Sequence, residues 1–324
     1  MSDCLCEINS SDIDLTNERY RISFSEDDMG FLAQSLKESG LIYPPIVRPF
    51  NNKFIVISGF NRIRAHIHNN RIDNRPTKIL VYQTNPDTTD YQCLLKSITA
   101  LAFKRQLTQA ELIICTNRLY QFLDEKQIAQ KSSAIFNREL SARFVKDLLA
   151  VGSLPDPALE LISTSHLSFK SAKKISCLEK DTIETFLTIF SNIRASSNKQ
   201  LEIILYIMEI AARDAVKPKT IFKNQEIQDI LFNEEKEVVL KTSLLRTCLF
   251  EQRFPTVFKT RQKTREKIAS IKFGNNIKFL PPENLDSQTY SIVFTAKNFN
   301  EFQNNVQNLN AAMKNKALKE ILNP

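Results

Sequence analysis

A chain of 324 residues, 42% of them hydrophobic, is long enough for two or three domains, each with a core of its own. No apolar run reaches the length of a membrane-spanning helix. The opening residues, MSDCLCEINSSD, are acidic and lack the apolar stretch of a signal peptide, so a cytoplasmic protein without a membrane partner is expected. The net charge of +8 is uneven: residues 1–40 hold nine acids against three bases, which leaves +14 for the remainder.

A basic excess of this kind favours a polyanionic partner, because neutralised phosphates release condensed counterions; a solvated basic face is the plainer alternative. Six scattered cysteines (Cys4, Cys6, Cys93, Cys115, Cys177 and Cys248) suit reduced thiols better than a disulfide framework. Cys4-x-Cys6 has no second pair to complete a metal site. His66 and His68 could pair on a strand but lack further ligands, so no metal is expected.

In chain order, residues 1–18 read as a flexible acidic N-terminus. Ser25 can cap a helix whose apolar positions Met29, Leu32, Ala33 and Leu36 recur at helical spacing, and Gly40 can end it. Pro44-Pro45 introduce a short strand at Ile46–Val47. A second strand, Lys53–Ile57, runs into Ser58-Gly59 and a turn bearing Arg62, Arg64 and His66. Thr108-x-x-Glu111 is a capping box, followed by a helix through Leu112, Leu119 and Leu123. A short helix over Asp124–Lys131 precedes another from Ser141 to Val151, with Phe144, Val145, Leu148 and Leu149 as its buried stripe and Gly152 and Leu154-Pro155 as its stop.

The outward face of that helix carries Ser141, Arg143, Lys146 and Asp147. Residues 126–174 hold eight bases against four acids. Short helices with one basic face suit a helix-turn-helix, although a structural helix pair has the same pattern. Beyond residue 180, stripes at Ile183, Phe186, Leu187 and Phe190 and at Leu201, Ile204, Leu205, Met208 and Ala212 continue in helix. Lys217-Pro218-Lys219 marks a boundary. Helices at 220–232 and 234–250 follow, then a basic run, Lys259 to Lys267. Two strands, Ile277–Leu280 and Tyr290–Thr295, precede a last helix on Phe299, Phe302, Val306 and Leu309.

The segment Arg21–His66 resembles the N-terminal domain of the ParB partition proteins. The residues that carry the likeness are Arg21, Phe24, Leu32-Ala33, Ser35-Leu36, Gly40, Pro45, Val47-Arg48 and Gly59-Phe60-Asn61-Arg62-Ile63-Arg64-Ala65. The likeness resumes at Leu154-Pro155 and at Leu167-Ser168-Phe169-Lys170-Ser171-Ala172-Lys173-Lys174, where Ser171 and Lys173 replace the family's histidine and arginine. The turn Ser132–Leu140 is about six residues longer than the family's.

The resemblance implies a mixed α/β and α protein. It would have a ParB-like α/β domain at 19–105 and a helix-turn-helix domain at 106–215; the tail, 216–324, reads from its own helices and strands as a small α+β module that could dimerise, as ParB C-terminal domains do. It implies sequence-specific binding of double-stranded DNA for plasmid or chromosome partition, a nucleoid- or plasmid-associated location and a partition ATPase as partner. Lys126, Gln127, Ser141, Arg143, Lys146, Lys170, Ser171, Lys173 and Lys174 would contact DNA. CTP would bind at Arg21, Gly59, Arg62 and Arg64 and close a dimer as a clamp.

This chain departs from the family at Phe60 and Asn61, where a glutamate and an arginine are usual. Ala100 and Leu101 stand where the family keeps a metal-binding carboxylate and an amide, ahead of Lys104. CTP hydrolysis is therefore expected to be weak or absent, and magnesium has no evident ligand. A sulfiredoxin-type enzyme on the same fold is disfavoured, since Phe60 replaces its nucleophilic cysteine. The other alternative is a transcription or replication regulator that keeps the fold without nucleotide binding.

Overall fold

The computed structural model describes residues 3–23, 29–73, 78–271, 273, 276–280 and 289–322. They form two compact units, Met1–Ser191 and Asn192–Pro324.

The first unit begins with β1 (Cys4–Asn9), β2 (Ile13–Asp14), α1 (Met29–Ser39), β3 (Ile46–Phe50), β4 (Lys53–Ser58), α2 (Phe60–Asp73), β5 (Lys78–Gln83) and α3 (Asp90–Ala102). The strands make one mixed sheet in the order β1-β5-β3-β4-β2. β3 and β4 form an antiparallel hairpin whose two turn residues, Asn51 and Asn52, have φ of 48° and 61°. Asparagine tolerates that left-handed region, and two such residues give the tight turn that matches strand twist. Ile8, Val47, Val56, Ile63, Ile79 and Val81 meet in the core, and α1 packs on α2. Gly40, at φ +70°, ends α1 with its N–H on the Leu36 carbonyl at 3.1 Å. Phe24 and Ser25, the expected helix cap, lie outside the described residues.

Two sequence expectations fail in this domain. The N-terminus is not a flexible tail: Cys4–Asn9 pairs antiparallel with Lys78–Gln83 along its whole length. Ile8 supplies the anchor by entering the core beside Ile79. The segment after Gly59 is not a turn but the opening of α2, so His66 and His68 lie on a helix; the His66 ring bonds the Lys78 carbonyl at 2.9 Å and Asn70 at 2.8 Å.

The unit continues as helices: α4 (Gln109–Leu119), α5 (Glu125–Gln130), α6 (Ser132–Phe136), α7 (Ala142–Gly152), α8 (Asp156–Ser163), α9 (Phe169–Ile175) and α10 (Lys180–Ser191). The Thr108–Glu111 capping box forms as read from sequence. α4 packs on α7 and α8, while α5 packs on α7. The long turn between α5 and α7 contains α6, which packs on α3.

The second unit comprises α11 (Ser197–Arg213), α12 (Pro218–Phe222), α13 (Gln225–Leu231), α14 (Val238–Arg253), α15 (Pro255–Ser270), β6 (Ile277–Leu280), β7 (Ser291–Phe294), α16 (Phe299–Ala312) and α17 (Lys316–Leu322). α11 packs on α12 and α14, which lie beyond the expected boundary at 215/216. Two ion pairs, Glu202–Arg246 at 2.6 Å and Glu209–Arg253 at 2.7 Å, tie α11 to α14. The buried face of α11 is Ile203, Ile204, Ile207, Ile210 and Ala211; Leu205 and Ala212, expected inside, are exposed. The stripe is rotated because α12 and α14 both need cover from it. β6 and β7 pair antiparallel, and Ile271, Phe273, Ile277, Phe279, Ala312, Leu318 and Ile321 fill the core beneath them. The basic run Lys259–Lys267 lies on α15. No helix among the described residues is long and apolar enough to cross a membrane.

Candidate functional site

Gly59 joins β4 to α2 with φ +97°. A β-carbon there would sit 3.0 Å from Pro45 Cβ and 3.1 Å from Arg62 Nη2, so both the backbone conformation and the space require glycine. The first turn of α2 then divides its side chains. Phe60 and Ile63 enter the core, while Arg62 and Arg64 project from other faces.

Each arginine already has a partner. Arg62 donates to the Tyr43 carbonyl, and burial draws its pKa down. Arg64 lies 3.9 Å from Glu18, which also pairs with Arg21. Arg21 is buried, donates to the Ser23 carbonyl at 3.2 Å and has its guanidinium 5.8 Å from the centroid of the Phe60 ring. The phenylalanine at the departing family position is thus a core residue and a platform for Arg21. The structure brings Arg21, Arg64 and Glu18 together and holds Arg62 on the backbone beside Gly59. A phosphate at this place would have to displace the Tyr43 carbonyl or Glu18.

Ala100 and Leu101 occupy the last turn of α3, and Lys104 is exposed just beyond it. The carboxylate near this point is Glu111, which the sequence reading used only as a cap. Arg105 grips both its oxygens, at 2.6 and 2.8 Å, and the Thr108 N–H donates to it at 2.8 Å. Burial alone would raise its pKa, but these bonds hold it below the usual carboxylate range.

Asp90, also missed, accepts from Tyr20 at 2.9 Å, from Arg48, and from Arg19 at 3.3 Å. Burial, with the Asp90 carboxylate beside it, pushes the Tyr20 phenol up to about 12. Arg19, Tyr20 and Asp90 border a cavity of about 290 Å³ that Arg118 and Phe122 also line. No periodicity or motif marks Arg48 or Asp90 as partners, since they meet only through the sheet. Among the described residues no group of three or more His, Cys, Asp or Glu could hold a metal.

The predicted DNA-contacting residues lie on or beside α5, α7 and α9. Lys126, Arg143, Lys146, Lys170 and Lys174 are exposed, and none has a carboxylate partner among the described residues. Gln127 caps α5, its side-chain oxygen accepting from Asp124 N at 3.0 Å. Ser141 caps α7 by accepting from Phe144 N at 3.2 Å. Lys173 is half-buried and paired with Asp147 at 2.6 Å, which links α9 to α7.

Ser171 departs from expectation. It is fully buried in α9, and its hydroxyl accepts from Ser168 at 2.8 Å. With no surface it cannot reach DNA in this arrangement, because the first turn of α9 packs inward against α7 and α8.

Residues 2–95 match the family model described as the ParB N-terminal domain. Over this region the chain is similar to the ParB N-terminal domain. The chain is also similar to the probable chromosome-partitioning protein ParB of Chlamydia trachomatis, with 26% identity over 194 residues, covering 57% of this chain and 64% of that protein. It therefore spans somewhat less than two thirds of that relative. A probable chromosome-partitioning protein ParB of Campylobacter jejuni is 51% identical over 45 residues, 14% of this chain and 16% of that protein. Among solved structures, the C-terminally truncated ParB of Caulobacter crescentus complexed to the centromeric parS site aligns at 17% identity, covering 56% of this chain and 91% of that one, with a TM-score of 0.34. The matched span starts at residue 2 and so takes in β1, ahead of the expected start at residue 19.

Proposed function

We propose that the chain is a ParB-like protein that binds double-stranded DNA sequence-specifically and serves chromosome or plasmid partition. The observation that carries this reading is the set of exposed cations on α7 and α9, Arg143, Lys146, Lys170 and Lys174, none with a carboxylate partner among the described residues, following a region that matches the ParB N-terminal domain. Cations without carboxylate partners are free to neutralise phosphates, and α7 has the length and exposed face of a helix that enters the major groove. In this reading the protein is a homodimer in the cytoplasm, associated with nucleoid or plasmid, and works with a partition ATPase. CTP binding at Arg21, Gly59, Arg62 and Arg64 would close the dimer on DNA. Duplex binding titrated against salt is the direct test. With about six phosphates neutralised, the log–log slope should be near −5. Absence of binding at low salt would end the reading.

A second reading, a regulator that retains the fold without a nucleotide switch, is favoured by one observation. Arg21, Arg62 and Arg64 are all engaged by Glu18 or by backbone carbonyls, and Phe60 is committed to the core. CTP titration separates the two.

A further inference from the structure

We propose that Arg138, in the long turn between α5 and α7, is a preset phosphate contact of the DNA-binding surface; this rests on the DNA-binding reading above. The turn is a built structure. Ile135 and Phe136 of α6 are buried, and α6 packs on α3. The Ser132 hydroxyl donates to the Ala129 carbonyl at 2.6 Å and accepts from Leu140 N at 2.9 Å, which fastens both ends of the insertion. Asn137, at φ 51°, ends α6 in the left-handed region and turns the chain toward α7.

Arg138 is thereby delivered to the first turn of α7, with its guanidinium 5.9 Å from the Phe144 ring centroid. Phe144 itself meets Phe169 of α9 edge-on at 5.6 Å, and Lys173–Asp147 braces the same two helices. The platform under Arg138 is therefore fixed from two helices, α7 and α9. Arg138 is exposed and has no carboxylate partner among the described residues. A cation held on a ring face has already lost much of its rotamer freedom, so less ordering entropy opposes a new contact. Its place on the loop just before α7, the helix that carries Arg143, is that of a group that grips the backbone rather than reads a base edge.

The test is duplex binding, as a function of salt, by the full chain and by Arg138→Ala, Arg138→Lys, Phe144→Leu and Arg143→Ala. Arg138→Ala should weaken binding roughly tenfold on every sequence and lower the salt slope by about one. Arg138→Lys should restore most of the slope, and Phe144→Leu should add nothing in the Arg138→Ala background. If Arg143→Ala weakens binding while Arg138→Ala leaves affinity and slope unchanged, the proposal is overturned and the DNA reading stands. A lower melting temperature with an unchanged slope would assign Arg138 a purely structural role and overturn it as well. If the unaltered chain binds no duplex, both fall.

Discussion

The side-chain amide of Asn117 on α4 occupies the place where a β-carbon on Gly152 of α7 would project, and it donates to the Gly152 carbonyl at 2.8 Å. α4 and α7 can approach this closely only because residue 152 has no side chain. Gly152→Ala should therefore expel the Asn117 amide and break its bond. A destabilisation of about 1–3 kcal/mol is expected, despite alanine's better helix propensity. Denaturant unfolding checks it; a neutral or stabilising effect would show that Asn117 moves aside freely.

Glu111 predicts a pH dependence. Its pKa in the folded protein lies below the ordinary 4.5, because the Arg105 fork and the Thr108 N–H outweigh burial. A depressed carboxylate contributes its full stability above the unfolded value and loses it as pH falls through the folded one. Melting followed from neutral pH downward should fall more steeply below about 4.5 in the wild type than in Glu111→Gln, which keeps the shape but not the charge. Parallel curves would refute this assignment.

On the DNA surface, Arg143→Ala and Lys146→Ala should differ. Arginine can grip guanine with two hydrogen bonds, so its loss is expected to cost about 1–3 kcal/mol and relax specificity. Lysine loss at a phosphate should weaken all sequences alike. Competition with unrelated duplex reads the difference, and two unaltered affinities in folded variants would remove α7 from the interface.

Nucleotide binding should depend on Arg62. Calorimetry with CTP is expected to show binding that is lost in Arg62→Ala, with little or no turnover, since Ala100 and Leu101 offer no ligand for magnesium. Rapid hydrolysis would overturn the assignment of those two positions. No heat with any nucleotide would establish the regulator reading instead.

The C-terminal sheet and α16 leave apolar surface uncovered. Ile292 and Val293 of β7 are about half exposed, and Phe299 and Phe302 of α16 are 75% and 47% exposed. Pairing of two copies would cover this surface and the short strand edges. Sedimentation should give a dimer that Phe302→Glu weakens; a wild-type monomer at micromolar concentration would count against dimerisation through this face.

Much of the first domain was legible in the sequence because its signals are local. The Thr108–Glu111 cap, the Gly40 stop, the strands around Pro45 and the glycine at 59 each depend on neighbours within a few residues. The likeness over Arg21–His66 pointed to the ParB N-terminal domain that residues 2–95 match. What the sequence left open is long-range. Composition marks residues 1–18 as a flexible acidic tail, yet backbone pairing with β5 makes Cys4–Asn9 an edge strand, and register between strands as far apart in sequence as Cys4 and Gln83 leaves no local trace. The arginines of α2 could be named but not their partners, because Tyr43 reaches Arg62 and Glu18 reaches Arg64 only once the domain folds. Ser171 stands at a motif position that reads as a DNA contact, and the packing of α9 buries it. Local chemistry set where helices start and stop; tertiary packing decided which charged groups are spent inside the fold and which remain for a ligand.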